Sequence, residues 1–219
     1  MKFEEYLASV PDLHTWDGGK TWNSGGFHRF HLEAFHALAT ALPGEGSTIL
    51  ETGAGNSTLT FAFAHPRKLI SIAPDEDLFS RIRDFAQSAD LDLSPMEAIV
   101  DRSEVVLPRL ADSGLAIDMA LIDGGHGWPT VFVDFCYVNC MLRKNGLLII
   151  DDVQLHTTKE LARLLTQQPE FKFKQDLGKS LVFEKVTEWK YLPDWNQQPY
   201  IVAQTERYSA SASPLSLDC

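Results

Sequence analysis

Ile49-Leu50-Glu51-Thr52-Gly53-Ala54-Gly55-Asn56-Ser57-Thr58 is the stretch on which the reading of the fold turns. An apolar run delivers an acid, then two glycines one residue apart, then small polar residues suited to opening a helix. That pattern predicts a buried strand, a tight turn and a helix start. Gly53 and Gly55 permit the sharp turn and let a ligand approach bare backbone. Ser57 or Asn56 is suited to cap the helix. A valine at Gly53 is accordingly expected to occupy ligand space while leaving the fold largely intact. The dinucleotide pattern G-x-G-x-x-G needs a third glycine at position 58, where Thr58 stands, and there is no P-loop lysine. An acid ahead of the glycines suits a ligand that bears a cationic amine. By itself the stretch is also an ordinary strand-to-helix turn. Its position after the first buried strand of an alternating pattern favours a ligand site, because ligands bind at strand C-termini in such folds.

Outward from that turn, strand-like runs recur at Thr48–Thr52, Lys68–Ala73, Glu97–Val100, Met119–Ile122 and Leu147–Ile150. Helical patterns fill the gaps at Ser57–Ala64, Asp77–Ser88, Glu104–Asp112, Thr130–Leu142 and Thr157–Gln167. Buried runs alternating with helices predict parallel strands joined by right-handed crossovers. Phe171–Leu177 and Ser180–Val186, split at Gly178-Lys179, read as a closing antiparallel hairpin. Upstream, residues 1–26 show no period and read as an irregular arm. Phe27, Phe30, Ala34, Phe35, Leu38 and Leu42 then mark a helix that Pro43-Gly44 stops. Three segments result: an arm and helix over 1–46, suited to cover a substrate, a ligand-binding domain over 47–186, and a tail over 187–219. The tail's aromatics predict packing at first, and Ser209 to Cys219 should be loose.

Two further stretches end buried strands in acids: Ile117-Asp118-Met119-Ala120-Leu121-Ile122-Asp123-Gly124-Gly125-His126 and Leu142-Arg143-Lys144-Asn145-Gly146-Leu147-Leu148-Ile149-Ile150-Asp151-Asp152. With the glycine turn, in this order, they make the chain from about Ser47 to Val186 resemble the class I S-adenosylmethionine-dependent methyltransferases. The likeness is to the small-molecule type with an "IDG-x-H" fourth strand. It implies an α/β, Rossmann-like, seven-stranded and mostly parallel sheet, with a C-terminal antiparallel hairpin and helices on both faces. It also implies that Glu51, Gly53, Gly55, Asn56 and Ser57 hold the methionine end of the cofactor. Asp101 or Arg102 would lie near the adenine, and Asp123 beside the transferring methyl group. The family's second strand ends in an acid that binds both ribose hydroxyls. Here that position holds Ala73, and Asp75 or Glu76 is expected to substitute.

If the fourth and fifth strands are neighbours, Asp123, Asp151 and Asp152 emerge on one rim. Crowded carboxylates require a compensating cation or proton, and their oxygens suit magnesium or another divalent cation. Such an ion would acidify a substrate hydroxyl. The alternative is that Asp152 caps a turn and Asp151 binds a backbone amide. His126 is the candidate general base, since its ordinary pKa near ~6.5 lets it take a proton at neutral pH. His14 and His156 are further candidates, whereas His28, His31 and His36 share one helix and read as structural. Trp16, Trp22 and Phe27 would form a lid or simply cover the sheet.

Length and composition bound the rest. A chain of 219 residues with 44% hydrophobic and 22% charged residues suits one well-buried domain. The N-terminus carries acids where a secretory signal needs a basic and then an apolar stretch, and no apolar run spans a bilayer, so a cytoplasmic protein is expected. The net charge of −11 disfavours nucleic acid as a partner and favours a small-molecule substrate. Oligomeric state is left undetermined. The function expected is methyl transfer to an oxygen, less readily a nitrogen, of a small molecule. The rivals are a non-catalytic binding protein that has kept the fold, supported by Ala73, and a nicotinamide-dependent oxidoreductase, opposed by Thr58.

Overall fold

A computed structural model describes the backbone of residues 1–16, 20–22, 27–42 and 46–210, and side chains outside 15–26, 43–45 and 208–219. The expectations attached to the side chains of Trp16 and Trp22, to the Pro43-Gly44 stop and to the last nine residues lie outside these described residues.

The main sheet has seven strands: β3 (Thr48–Thr52), β4 (Lys68–Ala73), β5 (Met96–Val100), β6 (Ile117–Ile122), β7 (Leu142–Ile150), β8 (Phe171–Asp176) and β9 (Leu181–Lys185). Their order is β5-β4-β3-β6-β7-β9-β8. The first five run parallel, and β9 joins β7 antiparallel before pairing with β8 across the predicted hairpin. This is the expected Rossmann-like α/β sheet. β3 lies at its centre, where the connections reverse direction across the sheet, and all five of its residues are buried. A strand covered on both faces has no water-facing side, so its apolar run need not alternate.

Alternate residues of these strands feed two cores. Ile49, Leu69, Met119, Leu121 and Ile149 pack on one face with α1 (Phe3–Ala8), α2 (Arg29–Thr40), α3 (Asn56–Phe63) and α4 (Glu76–Ser88). Leu50, Ile70, Ala120, Ile122, Leu148 and Ile150 pack on the other, with α5 (Ser103–Asp112), α6 (Thr130–Met141) and α7 (His156–Gln167). Each large aliphatic side chain withdrawn from water contributes about 1.5–3 kcal/mol. Register is therefore tightly set, because a one-residue slip would exchange the two cores.

Two elements depart from the sequence reading. The arm is not wholly irregular: it contains α1, whose Tyr6 and Leu7 are buried, and a short antiparallel pair, β1 (His14–Trp16) with β2 (Lys20–Trp22). A six-residue helix is too short to show a period. The tail carries a 3₁₀ turn at Trp195–Gln197 and α8 (Pro199–Ala210), which packs on α7. Among the described residues, no helix is long and apolar enough to cross a membrane.

Candidate active site

The C-terminal ends of β3, β4, β6 and β7 form one rim, and the sequence-selected residues lie along it. At β3 the turn is built from inside. Glu51 is fully buried, and its carboxylate accepts hydrogen bonds from Ser57 Oγ (2.6 Å), Thr58 Oγ1 (2.5 Å) and Ser71 Oγ (2.6 Å). Burial pushes its carboxyl up to about 7, against the three hydroxyls, which favour the ionised form. Glu51 therefore shapes the turn with its side chain directed at these hydroxyls. The helix opens at Gly55, whose N–H donates to Thr58 Oγ1 (2.9 Å). Thr58, rather than Ser57 or Asn56, thus supplies the side-chain oxygen at the start of α3. Asn56 instead ties the arm down: it accepts from Tyr6 Oη at Oδ1 (3.0 Å) and donates from Nδ2 to the Pro11 carbonyl (3.0 Å).

Both glycines are needed for close approach. Gly53 has φ +88°, and a Cβ there would lie 2.3 Å from the Asp123 carbonyl oxygen. The space beside Gly53 thus belongs to the β6 loop, and a valine cannot leave the fold intact, contrary to the expectation from sequence. At Gly55 a Cβ would meet His14 Nε2 at 2.7 Å. The arm holds His14 over the turn, because Arg81 Nε donates to the Leu13 carbonyl (2.6 Å) and Leu13 is itself buried. Burial, reinforced by the Arg81 charge, lowers the His14 pKa, so the ring is neutral.

Along the next strands, Ala73 ends β4 in a buried position. Asp75 caps α4 by accepting from Leu78 N (3.1 Å) and pairs with Arg81 (3.4 Å), while Glu76 pairs with Arg83 (3.1 Å). After β5, Asp101 accepts from Arg102 N (2.8 Å) and pairs with Arg109 (3.3 Å), and Arg102 is exposed at the start of α5.

The acids behind β6 and β7 are arranged differently from a simple trio. Asp123 and Asp151 extend the parallel ladder, their N–H groups donating to Thr52 O (3.0 Å) and Ile122 O (3.1 Å). His126 Nε2 lies 3.2 Å from Asp152 Oδ2 and 3.7 Å from Asp123 Oδ1, and one ligand atom from each of these three residues falls within 4.8 Å of the others. Asp151, fully buried, turns to the hairpin: it accepts from Ser180 Oγ and from Lys179 Nζ (2.7 Å), and Lys179 Nζ also reaches Asp152 Oδ1 (3.2 Å). Burial, then the Asp151 charge, raises Asp123 well above the usual carboxylate range. Asp152 is held below that range despite partial burial, chiefly by the Gln154 amide and Lys179. Burial alone would lower the Lys179 ammonium, but Asp151 and its acidic neighbours outweigh it and raise the group.

The glycines after Asp123 let this loop pack. A Cβ at Gly124 would meet Thr52 at 3.2 Å, and one at Gly125 would meet Thr130 at 2.8 Å. Thr157 Oγ1 donates to the His126 carbonyl and fixes the loop from α7.

Three further titratable groups stand beside the rim. Lys179 was legible only as a hairpin-turn residue, since its partners lie 27 and 28 positions away. His31, read as structural, is buried beside Lys179, whose charge together with burial lowers its pKa. Asp134 is a fully buried acid on α6, pushed up to about 6 by burial against the Ser103 and Thr52 hydroxyls. Its signal was an acid among Val131, Phe135 and Val138 on one helix face.

Residues 50–153 match the model of a family described as a methyltransferase domain. No curated relative matches the sequence. Among solved structures, the chain resembles the O-methyltransferase TomG from Streptomyces achromogenes, involved in tomaymycin synthesis and solved with SAM. That match has TM-score 0.61 at 18% identity and covers 82% of this chain and 85% of TomG. A methyltransferase from Geobacter sulfurreducens matches with TM-score 0.57 at 19% identity, covering 72% of this chain and 78% of that one. An rRNA methylase from Streptococcus thermophilus matches with TM-score 0.53 at 17% identity, covering 69% and 94%. These likenesses extend the fold match beyond the residues of the family model. The matched residues include the glycine turn, Asp123, His126 and Asp152, so the part of the chain that is similar to a methyltransferase domain is the part that carries this rim.

Proposed function

We propose that this enzyme methylates a hydroxyl oxygen of a small molecule, with an amine nitrogen as the less favoured acceptor. One observation carries the reading: the bare turn at Gly53–Gly55 and the Asp123–His126–Asp152 group share a wall, since the Asp123 carbonyl fills the side-chain space of Gly53. A donor on the turn and an acceptor at His126 would therefore be neighbours, which is what in-line transfer requires.

The turn suits the cofactor because no side chain projects from Gly53 or Gly55 and His14 overhangs it. On this reading Gly53, Gly55 and the N-terminus of α3 receive the methionine end, with His14 donating or accepting one hydrogen bond from the arm. Asp75 at the end of β4 and Asp101 with Arg102 at the end of β5 lie toward the ribose and adenine. Glu51, Asn56 and Ser57 act by holding the turn and the arm in place. When bound, the cofactor supplies a methyl group on a positively charged sulfur.

The chain's own part is positioning and proton transfer. Nδ1 of His126 is buried without a hydrogen-bond partner, so Nε2 is the nitrogen that meets the acids. With the ring proton on Nδ1, an acceptor hydroxyl entering beside Nε2 would give its proton to that nitrogen as its oxygen takes the methyl group, the broken carbon–sulfur bond leaving its electron pair on sulfur. The Asp152 carboxylate, 3.2 Å away, stabilises the imidazolium. Asp123 adds a second acid at the same nitrogen. The crowding that suggested a divalent cation is met in part by a side chain: Asp151, which crowds Asp123, pairs with Lys179 and Ser180, and Lys179 also reaches Asp152. The grouped ligand atoms are those of Asp123, His126 and Asp152 in place of the expected Asp123, Asp151 and Asp152, and the proton transfer needs no metal.

The net charge of −11 supports a small molecule over a nucleic acid. Calorimetry with S-adenosylmethionine, S-adenosylhomocysteine and NAD tests the cofactor, and binding of NAD alone would return the oxidoreductase reading. Methyl-labelled cofactor offered with panels of phenols, amines and RNA tests the acceptor. We expect label in phenols, lost in His126→Asn. Label only in amines or RNA would overturn the oxygen reading, and cofactor binding without transfer to any panel would favour a binding protein.

A further inference from the structure

We infer that Lys179 is the resident cation of the acid cluster: a positioning residue that holds Asp152 against His126 and closes the cluster to divalent ions. The inference deepens the methyltransferase reading above and rests on it only for what the cluster serves.

Lys179 is placed by backbone, not by chance of rotamer. It sits in the β8–β9 turn, where Gly178 (φ +83°) is held by Asp176 Oδ1 accepting from its N–H (2.7 Å). The Lys179 carbonyl accepts from Val153 N (2.9 Å), which ties the turn to the loop after β7. From there the ammonium reaches both acids, 2.7 Å from Asp151 and 3.2 Å from Asp152. Its third side faces the buried Phe27 ring, 4.3 Å from the centroid, an arrangement that favours a cation. Only a fifth of the Lys179 side chain is exposed.

The oxygens of Asp151 and Asp152 are consequently spoken for. Asp151 gives one to Ser180 and one to Lys179. Asp152 gives Oδ1 to Lys179 and to the Gln154 amide (2.9 Å), and Oδ2 to His126. A divalent ion at ordinary oxygen distances of about 2.0–2.6 Å from Asp152 Oδ1 would lie within roughly 6 Å of the ammonium, in a partly desolvated cleft where like charges repel strongly. Removing one partner of such a pair leaves the other charge uncompensated. Without Lys179, Asp151 and Asp152 are two such charges, and a metal ion becomes the natural replacement.

The test is manganese binding, followed by electron paramagnetic resonance and by thermal melting, on the full chain. Wild type should leave manganese free and melt at one temperature with manganese, magnesium or chelator. Lys179→Met should bind one manganese ion. Its melting temperature should rise by roughly 5–10 °C at an ion concentration about 100-fold over the dissociation constant. Lys179→Arg keeps the charge and should stay silent like wild type. Stoichiometric manganese binding by wild type would overturn the inference, and that measurement stands even if Lys179→Met does not fold. A folded Lys179→Met that ignores manganese would overturn it as well. S-Adenosylhomocysteine calorimetry on the same samples separates the two failures: retained binding with a metal-loaded wild type sinks the Lys179 inference alone, and absent binding sinks the cofactor reading.

Discussion

Gly53→Ala is the substitution whose effect can be worked furthest from geometry. Two penalties act. The backbone at φ +88° is one an L-residue adopts at a cost of about 1–2 kcal/mol. The new Cβ would also stand 2.3 Å from the Asp123 carbonyl oxygen and 2.9 Å from its carbon, both of them backbone that cannot swing aside as a side chain end would. Forcing an added carbon into packed surroundings costs about 1–3 kcal/mol. A total of roughly 2–5 kcal/mol corresponds to a melting temperature lower by about 5–20 °C in a chain of this length. Gly114 supplies the control, because it has φ +74° but nothing within 4 Å of an added Cβ. Gly114→Ala should therefore show the backbone penalty alone. The assay is calorimetric or circular-dichroism melting of both variants beside wild type. Equal melting temperatures for the two would refute the claim that the Asp123 loop fills the space beside Gly53. The larger loss at Gly53 also means that a failure of Gly53 variants to bind cofactor would not by itself locate the ligand.

Two further predictions concern the same rim. Glu51, with its folded pKa raised from 4.5 to about 7, holds an extra proton in the folded state between those values, so stability should fall as pH rises through that window. The loss is on the order of 3 kcal/mol; Glu51→Gln should flatten it in urea midpoints at pH 5 and 8, and a variant with the wild-type pH slope would contradict the assignment. His14→Ala should weaken S-adenosylhomocysteine binding about two- to tenfold by calorimetry, the worth of one neutral hydrogen bond; unchanged affinity would make His14 a packing residue only.

Much of this was legible along the chain because it rests on local period and local chemistry. The alternation of apolar runs and amphipathic helices, the glycine turn and the acids ending β6 and β7 each depend on neighbours a few positions away. The hairpin at Gly178-Lys179 was legible for the same reason. Glu51 shows where that reach ended. Its place at the end of a buried strand was evident, but its partners were not: Ser57 and Thr58 belong to the next helix, and Ser71 comes from the neighbouring strand.

What the linear sequence determined by itself was the α/β architecture and the rim on which the glycine turn and the acids stand. Period and glycine placement restrict the backbone whatever lies across the sheet. What only the tertiary structure decided was how charge is balanced at that place. The parallel pairing of β6 with β7 brings Asp123 and Asp151 to one rim, and the antiparallel return of β9 carries Lys179 to the same rim from the hairpin turn. Electrostatic partners are chosen by distance in space, and at 27 to 28 residues of separation no spacing rule along the chain encodes that distance.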